Sequence, residues 1–365
     1  MKRRSVLQAL VAGSSALALT TSLNDGSASR SASERVFILV DLKGGNDGLN
    51  TLAPIEDARY RRARPTLALD IDAPLLDRGL ALHPSLAPLL PLWHQNRLGF
   101  ALGVGWSKPS RSHFKASDQW ATGRQDGEGP GWLAQAWLDR GITAPLLSFA
   151  SAGSAAMEGG SALALQLDPS VLRSGPERGL HPESELDSSV LRRMLELEWA
   201  AHRAISELRD RLAPLPSDVQ LPKGRLGPQV AMALRLLGSG VCPPVLHMDL
   251  GGFDTHANQA RRHKTALRQL AQGLVALDAG LRQIPHAPDV SLLAVSEFGR
   301  RLQENGSRGT DHGSTSVAIR YGQFVSERYV GEYPDLERLD ERGDLIPTME
   351  PTSLYKQPLK FLLST

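Results

Sequence analysis

A single cysteine, Cys242, stands among 365 residues. It excludes an internal disulfide and every thiolate metal motif, and its ordinary place is a small buried core position. An excess of charge of one sign is also missing. The formal net charge is +2 and the arginines are scattered, which argues against a nucleic-acid surface. No internal repeat recurs, and no stretch beyond the N-terminus approaches the length of a membrane span. What remains is 41% hydrophobic and 22% charged, the composition of an ordinary soluble globular protein with one large or two ordinary domains.

The N-terminus reads as an address. Arg3-Arg4-Ser5-Val6-Leu7 is a twin-arginine pair followed by apolar residues. Leu7 to Leu19 is apolar but short, and rich in Gly, Ser and Ala. A cleavage site near Gly26-Ser27-Ala28 and a polar linker from Asn24 to Glu34 complete the pattern. The expectation is a twin-arginine signal and linker over residues 1–34 and one α/β domain over 35–365. The export machinery is then a partner, the destination is periplasmic or secreted, and the mature chain has no membrane span. A Sec signal or short anchor is the plainer alternative.

Val36 to Val40, Leu98 to Val104, Pro244 to Leu250 and Val290 to Val295 are short apolar runs, the signature of strands buried on both faces. Leu267, Leu270, Leu274, Leu277 and Leu281 recur at three- and four-residue steps and predict a helix between the last two runs. Val190 to Leu212 predicts another, with a solvated charged face, while Ser151 to Ser188 reads as irregular. Strand, helix, strand is a crossover between parallel strands. The expected fold is therefore α/β, a mostly parallel sheet with helices on both faces, binding ligands beyond the carboxyl ends of its strands.

The chemistry-bearing residues fall just past those ends. Asp254 and His256 follow Gly251-Gly252, and in an extended segment they share one side. Glu297 follows a buried run, where a carboxylate is costly unless paired or metal-bound. Asp311 and His312 lie between Gly309 and Gly313, in what reads as a flexible loop. Asp47 in Gly44-Gly45-Asn46-Asp47-Gly48 offers oxygen to a hard cation. Each has a bland reading: a helix cap for Asp254, a salt bridge of Glu297 with Arg300 or Arg301, and turns for Asp47 and Asp311. Together they form a ligand set for divalent metal. The loop Ser107-Lys108-Pro109-Ser110-Arg111-Ser112-His113 adds hydroxyls beside cations that suit a phosphate or sulfate. His83 reads as structural, and Asp41 as facing the core or pairing with Lys43.

Gly44 to Asn50, Ser112-His113-Phe114, Gly131-Trp132-Leu133, Gly251 to His256, Ser296 to Arg300 and Gly309 to Gly313 occur in this order. The chain thereby resembles the family of domains of unknown function numbered 1501, grouped with the alkaline phosphatase and sulfatase superfamily. The resemblance covers roughly Val36 to Gly322 and implies an alkaline phosphatase-like sheet with one or two metals at its rim. It implies Asp47 as the early metal ligand, Asp254 and His256 as the middle pair, and Asp311-His312 as the source of the late histidine. Glu297 takes a carboxylate ligand role, with Phe298 where the superfamily has a histidine. Ser107 to Arg111 resembles the sulfatase nucleophile motif with serine in the cysteine position. Ser112, Ser107, Arg111 and His113 are thus the catalytic candidates. The ligands are Asp47, Asp254, His256, Glu297, Asp311 and His312, and the cofactor is zinc, calcium, magnesium or manganese. The implied function is an exported hydrolase of small anionic phosphate or sulfate esters. The alternative is a non-catalytic binding or assembly protein on the same fold, since a fold does not carry activity with it.

Overall fold

The computed structural model describes residues 35–142, 145–150, 152–159, 164–172 and 189–363. The expected signal and linker lie outside the described residues, as does much of the stretch read as irregular. The strands in chain order are β1 (Arg35–Leu42), β2 (Leu52–Ala53), β3 (Ala81–Leu82), β4 (Leu98–Val104), β5 (Leu146–Ser148) and β6 (Ala164–Gln166). After them come β7 (Val245–Leu250), β8 (Asp289–Val295), β9 (Gly299–Glu304), β10 (Thr310–Gly313), β11 (Ser316–Gly322) and β12 (Tyr329–Val330).

Eight of them form one sheet in the order β12-β4-β11-β8-β1-β7-β5-β6. All its neighbours are parallel except β11, which runs antiparallel to both β8 and β4. The central strand β1 shows why the run Val36 to Val40 carries no polar alternation. Val36, Ile38 and Val40 enter one apolar core, and Phe37 and Leu39 enter another on the opposite face. Helices Leu226–Gly238 and Gln259–Leu281 cover the first face; helices Trp132–Leu138 and Pro351–Leu363 cover the second. The mostly parallel, doubly covered sheet is the architecture the apolar runs lead one to expect.

The leucine stripe lies where its spacing puts it. Leu267, Leu270, Leu274, Leu277 and Leu281 are all buried on helix Gln259–Leu281. The second helix spans Ser189–Arg211, close to its expected limits.

Three expectations need correction. Asp311 and His312 are not in a flexible loop: they belong to β10, which pairs antiparallel with β9. Gly313 is punctuation of another kind, because a Cβ there would lie 2.6 Å from the Arg300 carbonyl carbon, so the close strand approach needs glycine. Within the stretch read as irregular, β6 pairs with β5. Cys242 is half-buried against the first core rather than fully inside it.

Leu270 has no exposed surface and packs in the larger core. Leu270→Ala should lower unfolding stability by about 2–5 kcal/mol, read as a shifted denaturant midpoint at unchanged slope.

Candidate metal centre

Backbone geometry at the sheet rim brings three loops together. The turn after β1 rises through Gly44, where an added Cβ would fall 2.2 Å from the Asp254 amide nitrogen. The tip of the β9–β10 hairpin approaches as closely, since a Cβ on Gly309 would fall 2.3 Å from the His256 carbonyl carbon. Only glycine lets these backbones touch.

Arg300, wholly buried, ties the three together. Its guanidinium donates to the carbonyls of Gly45 (2.8 Å), Gly44, Phe253 (3.0 Å) and Thr310 (2.7 Å), and to Asp254 Oδ1 (2.9 Å). The salt bridge thought of for Glu297 is therefore not its partnership: Arg300 pairs with Asp254, and Arg301 with Asp344.

Around Asp254 stand three imidazoles, each fixed by its Nδ1. His312 Nδ1 lies 2.8 Å from the Arg111 carbonyl, His113 Nδ1 lies 2.8 Å from Glu297 Oε1, and His256 Nδ1 lies 3.3 Å from Asp311 Oδ1. All three partners only accept, so each Nδ1 directs its proton there, and the three Nε2 atoms are left facing inward. Those Nε2 atoms gather on one carboxylate. Nε2 of His256 and of His312 are 3.1 Å and 3.3 Å from Asp254 Oδ1, and Nε2 of His113 is 3.7 Å from Oδ2. Ligand atoms of His113, Asp254 and His312 all lie within 4.8 Å of one another. Nε2 of His256 sits 2.8 Å from Nε2 of His312. At that separation the two nitrogens either share a proton or face a common cation, and with Asp254 beside them the donor set fits a divalent ion.

The electrostatics agree. Burial pushes the Asp254 carboxyl up, but hydrogen bonds from Arg300 and His312 outweigh it and hold the group down at about 2. The Glu297 hydrogen bond raises His113, and burial lowers His312. An anionic carboxylate, rather than a protonated one, is offered at neutral pH.

The other expected residues occupy different places. Glu297 lies behind the imidazole: its Oε1 accepts from His113 and from the Gly44 amide (2.8 Å). Asp311 braces His256 in the same way. Phe298, 2% exposed, lies under two rings, its centroid 4.9 Å from His113 and 4.3 Å from His312. Where a histidine was looked for, the chain has an apolar floor, and His113 from a separate helix, His113–Thr122, brings the imidazole instead. Arg111 donates one guanidinium N–H to Asp344 (2.6 Å) while its carbonyl holds His312. Ser112 is exposed at the N-cap of the His113 helix, with no side-chain capping bond. Ser107 faces another hollow with Lys108, Asp340 and Arg342.

Asp47 stands apart from the cluster. It is 1% exposed, pairs with wholly buried Arg64 at 2.5 Å, and accepts from Gln259 and the Asn50 amide. Gln259 Oε1 in turn accepts from Thr255 (3.0 Å) and Thr310 (2.6 Å), the neighbours of Asp254 and Asp311. Asp47 thus anchors the loops from beneath. His83, buried, accepts from the Ser85 amide, a structural role. Nothing local in the sequence marks Arg64, Gln259 or Arg300 as hubs, because each also reaches a partner far along the chain: Arg301 is 237 residues from Arg64, Asp47 is 212 from Gln259, and Gly44 is 256 from Arg300.

The family model described as a protein of unknown function, DUF1501, matches residues 34–336. The chain belongs to the DUF1501 family. No curated protein matches it. Ten solved chains do, among them the C-terminal periplasmic domain of EcEptC from Escherichia coli in complex with zinc. That likeness has 9% identity and a TM-score of 0.40, over 89% of this chain and 81% of the other. It is a likeness of outline.

Two outcomes test this geometry. Glu297→Gln should weaken zinc binding by about 10–100-fold in a competition titration, because it removes the acceptor that orients His113. For Asp47, burial raises the carboxyl, but the Arg64 charge and hydrogen bond, with His263 and Gln259, reverse that and bring it below 3.8. The pair's contribution is then complete above 3.8 and is lost as pH falls through the lower folded value. Asp47→Asn should cost about 3–5 kcal/mol at neutral pH and flatten this acid limb in denaturant curves.

Proposed function

We propose that the chain is an exported, metal-dependent hydrolase of phosphate or sulfate esters. The observation that carries this is the convergence of three Nδ1-anchored imidazoles on Asp254. His113, Asp254 and His312 would hold the ion, with His256 completing or extending the set toward solvent. A nitrogen-rich set favours zinc over calcium and magnesium, which prefer oxygen shells. Bound there, a divalent cation supplies Lewis acidity toward an ester oxygen and toward an oxygen nucleophile.

The protein's own contribution is placement. Glu297 and the Arg111 carbonyl hold protons on His113 and His312 at Nδ1, so neither ring needs to reorient. Ser112 is the better placed of the two serines, one residue before His113 and open to solvent. Arg111 is committed to Asp344 and braces the site rather than meeting the ester anion. The Arg3-Arg4 pair supports export by the twin-arginine route to the periplasm or beyond, and among the described residues no helix is long and apolar enough to cross a membrane.

Zinc content per purified chain and turnover of 4-nitrophenyl phosphate and 4-nitrophenyl sulfate test the proposal. About one or two ions should be bound, chelation should abolish turnover, and His256→Ala and His312→Ala should each cut kcat/KM by at least about 100-fold. Metal retained without turnover on either ester would instead make the chain a binding or assembly protein.

A further inference from the structure

Beside the metal cluster lies a hollow of about 310 Å³ that the mechanism above does not use. Glu297 is shared: it grips His113 and also forms part of the hollow's wall. Trp120, Trp132 and Tyr355 contribute apolar surface, with Trp132 and Tyr355 stacked at 4.4 Å and 6°.

The polar part of the wall is anionic and built. Asp41, Glu158 and Glu297 line it against one cation, Lys43. Asp41 is positioned from behind: its Oδ2 is 3.1 Å from Nε2 of His247, and Nδ1 of His247 is 2.8 Å from Ser148 Oγ. Serine, histidine and aspartate in a row suggest a nucleophile relay, but the order is inverted. Ser148 is 3% exposed and does not line the hollow, whereas Asp41 does. The row therefore ends on a carboxylate that lines the hollow, and Oδ1 of Asp41 takes no hydrogen bond among the described residues.

Ser154 gives an independent sign. It is 7% exposed, lines the hollow, and its hydroxyl has no hydrogen-bond partner among the described residues. The residue is buried but its hydroxyl oxygen is reachable from the hollow, so a polar ligand atom can meet it there. An anionic ligand would face three carboxylates, and a purely apolar one would strand Asp41 and Ser154. An ammonium meets Asp41, Ser154 and Glu158 with N–H donors, and its stem meets the aromatic wall.

We propose that this hollow binds a primary ammonium group carried on a short apolar or aromatic stem. That the stem belongs to the ester turned over at the metal cluster rests on the function proposed above; the ammonium site itself does not. Calorimetric titration of the metal-loaded protein with benzylammonium and with its neutral counterpart, benzyl alcohol, tests it. Benzylammonium should bind at least about tenfold more tightly. Asp41→Asn and Glu158→Gln should each weaken it by about three- to tenfold and leave benzyl alcohol unchanged. Glu158 is exposed, so Glu158→Gln reports even where Asp41→Asn perturbs folding. Equal binding of the two probes, or variants without effect, overturns the proposal. Preference for benzylammonium that survives chelation, in a protein that turns over no ester, upholds the hollow and removes the hydrolase. Ester turnover without any such preference does the reverse.

Discussion

One buried guanidinium holds the rim of this protein in shape. The Arg300 side chain has no exposed surface, yet it spends its donors on carbonyls from three separate loops and on the Asp254 carboxylate. Burial alone lowers its affinity for a proton, and its acceptors only partly offset that. Such a charge is tolerated inside a protein only when nearly every donor is satisfied. The loops after β1 and β7 and the β9–β10 hairpin therefore cannot move independently. The imidazoles they carry are fixed relative to Asp254 before any ligand arrives, which is the preorganisation a metal centre needs.

A second support works from beneath. Asp47 and Arg64 form a buried pair, and Gln259 carries their influence to Thr255 and Thr310. Breaking a buried pair is far more costly than its net contribution suggests, because the abandoned charge has no solvent to turn to. Ligand placement at the rim and stability of the interior thus share residues. A substitution beneath the site would be expected to disturb both together.

How much of this was legible in the sequence follows from which interactions are local. Apolar runs such as Val36 to Val40 and the Leu267 to Leu281 stripe announce β1 and the helix behind it, since burial on both faces, or along one face, imposes its own period. The candidate residues at strand ends were legible for the same reason: a parallel sheet delivers its carboxyl ends to one edge. The division of labour among them was not. Whether Asp47 or Glu297 touches a metal depends on which cation stands opposite it, and Arg64 and His113 are 17 and 184 residues away along the chain. Asp311 and His312 read as loop because flanking glycines signal turns, whereas here Gly313 permits close strand pairing. Asp41, His247 and Ser148 assemble from three neighbouring strands, and no spacing rule within one segment reveals that.

Imidazole nitrogens surrounding a bound ion are what the proposed chemistry requires. X-ray absorption at the zinc edge of the loaded protein measures this without reference to any substrate. The predicted result is a shell of nitrogen and oxygen only at about 2.0–2.1 Å, with the outer scattering of at least two, and up to three, imidazole rings. A shell of oxygen alone, or zinc that stays in the buffer, would contradict it.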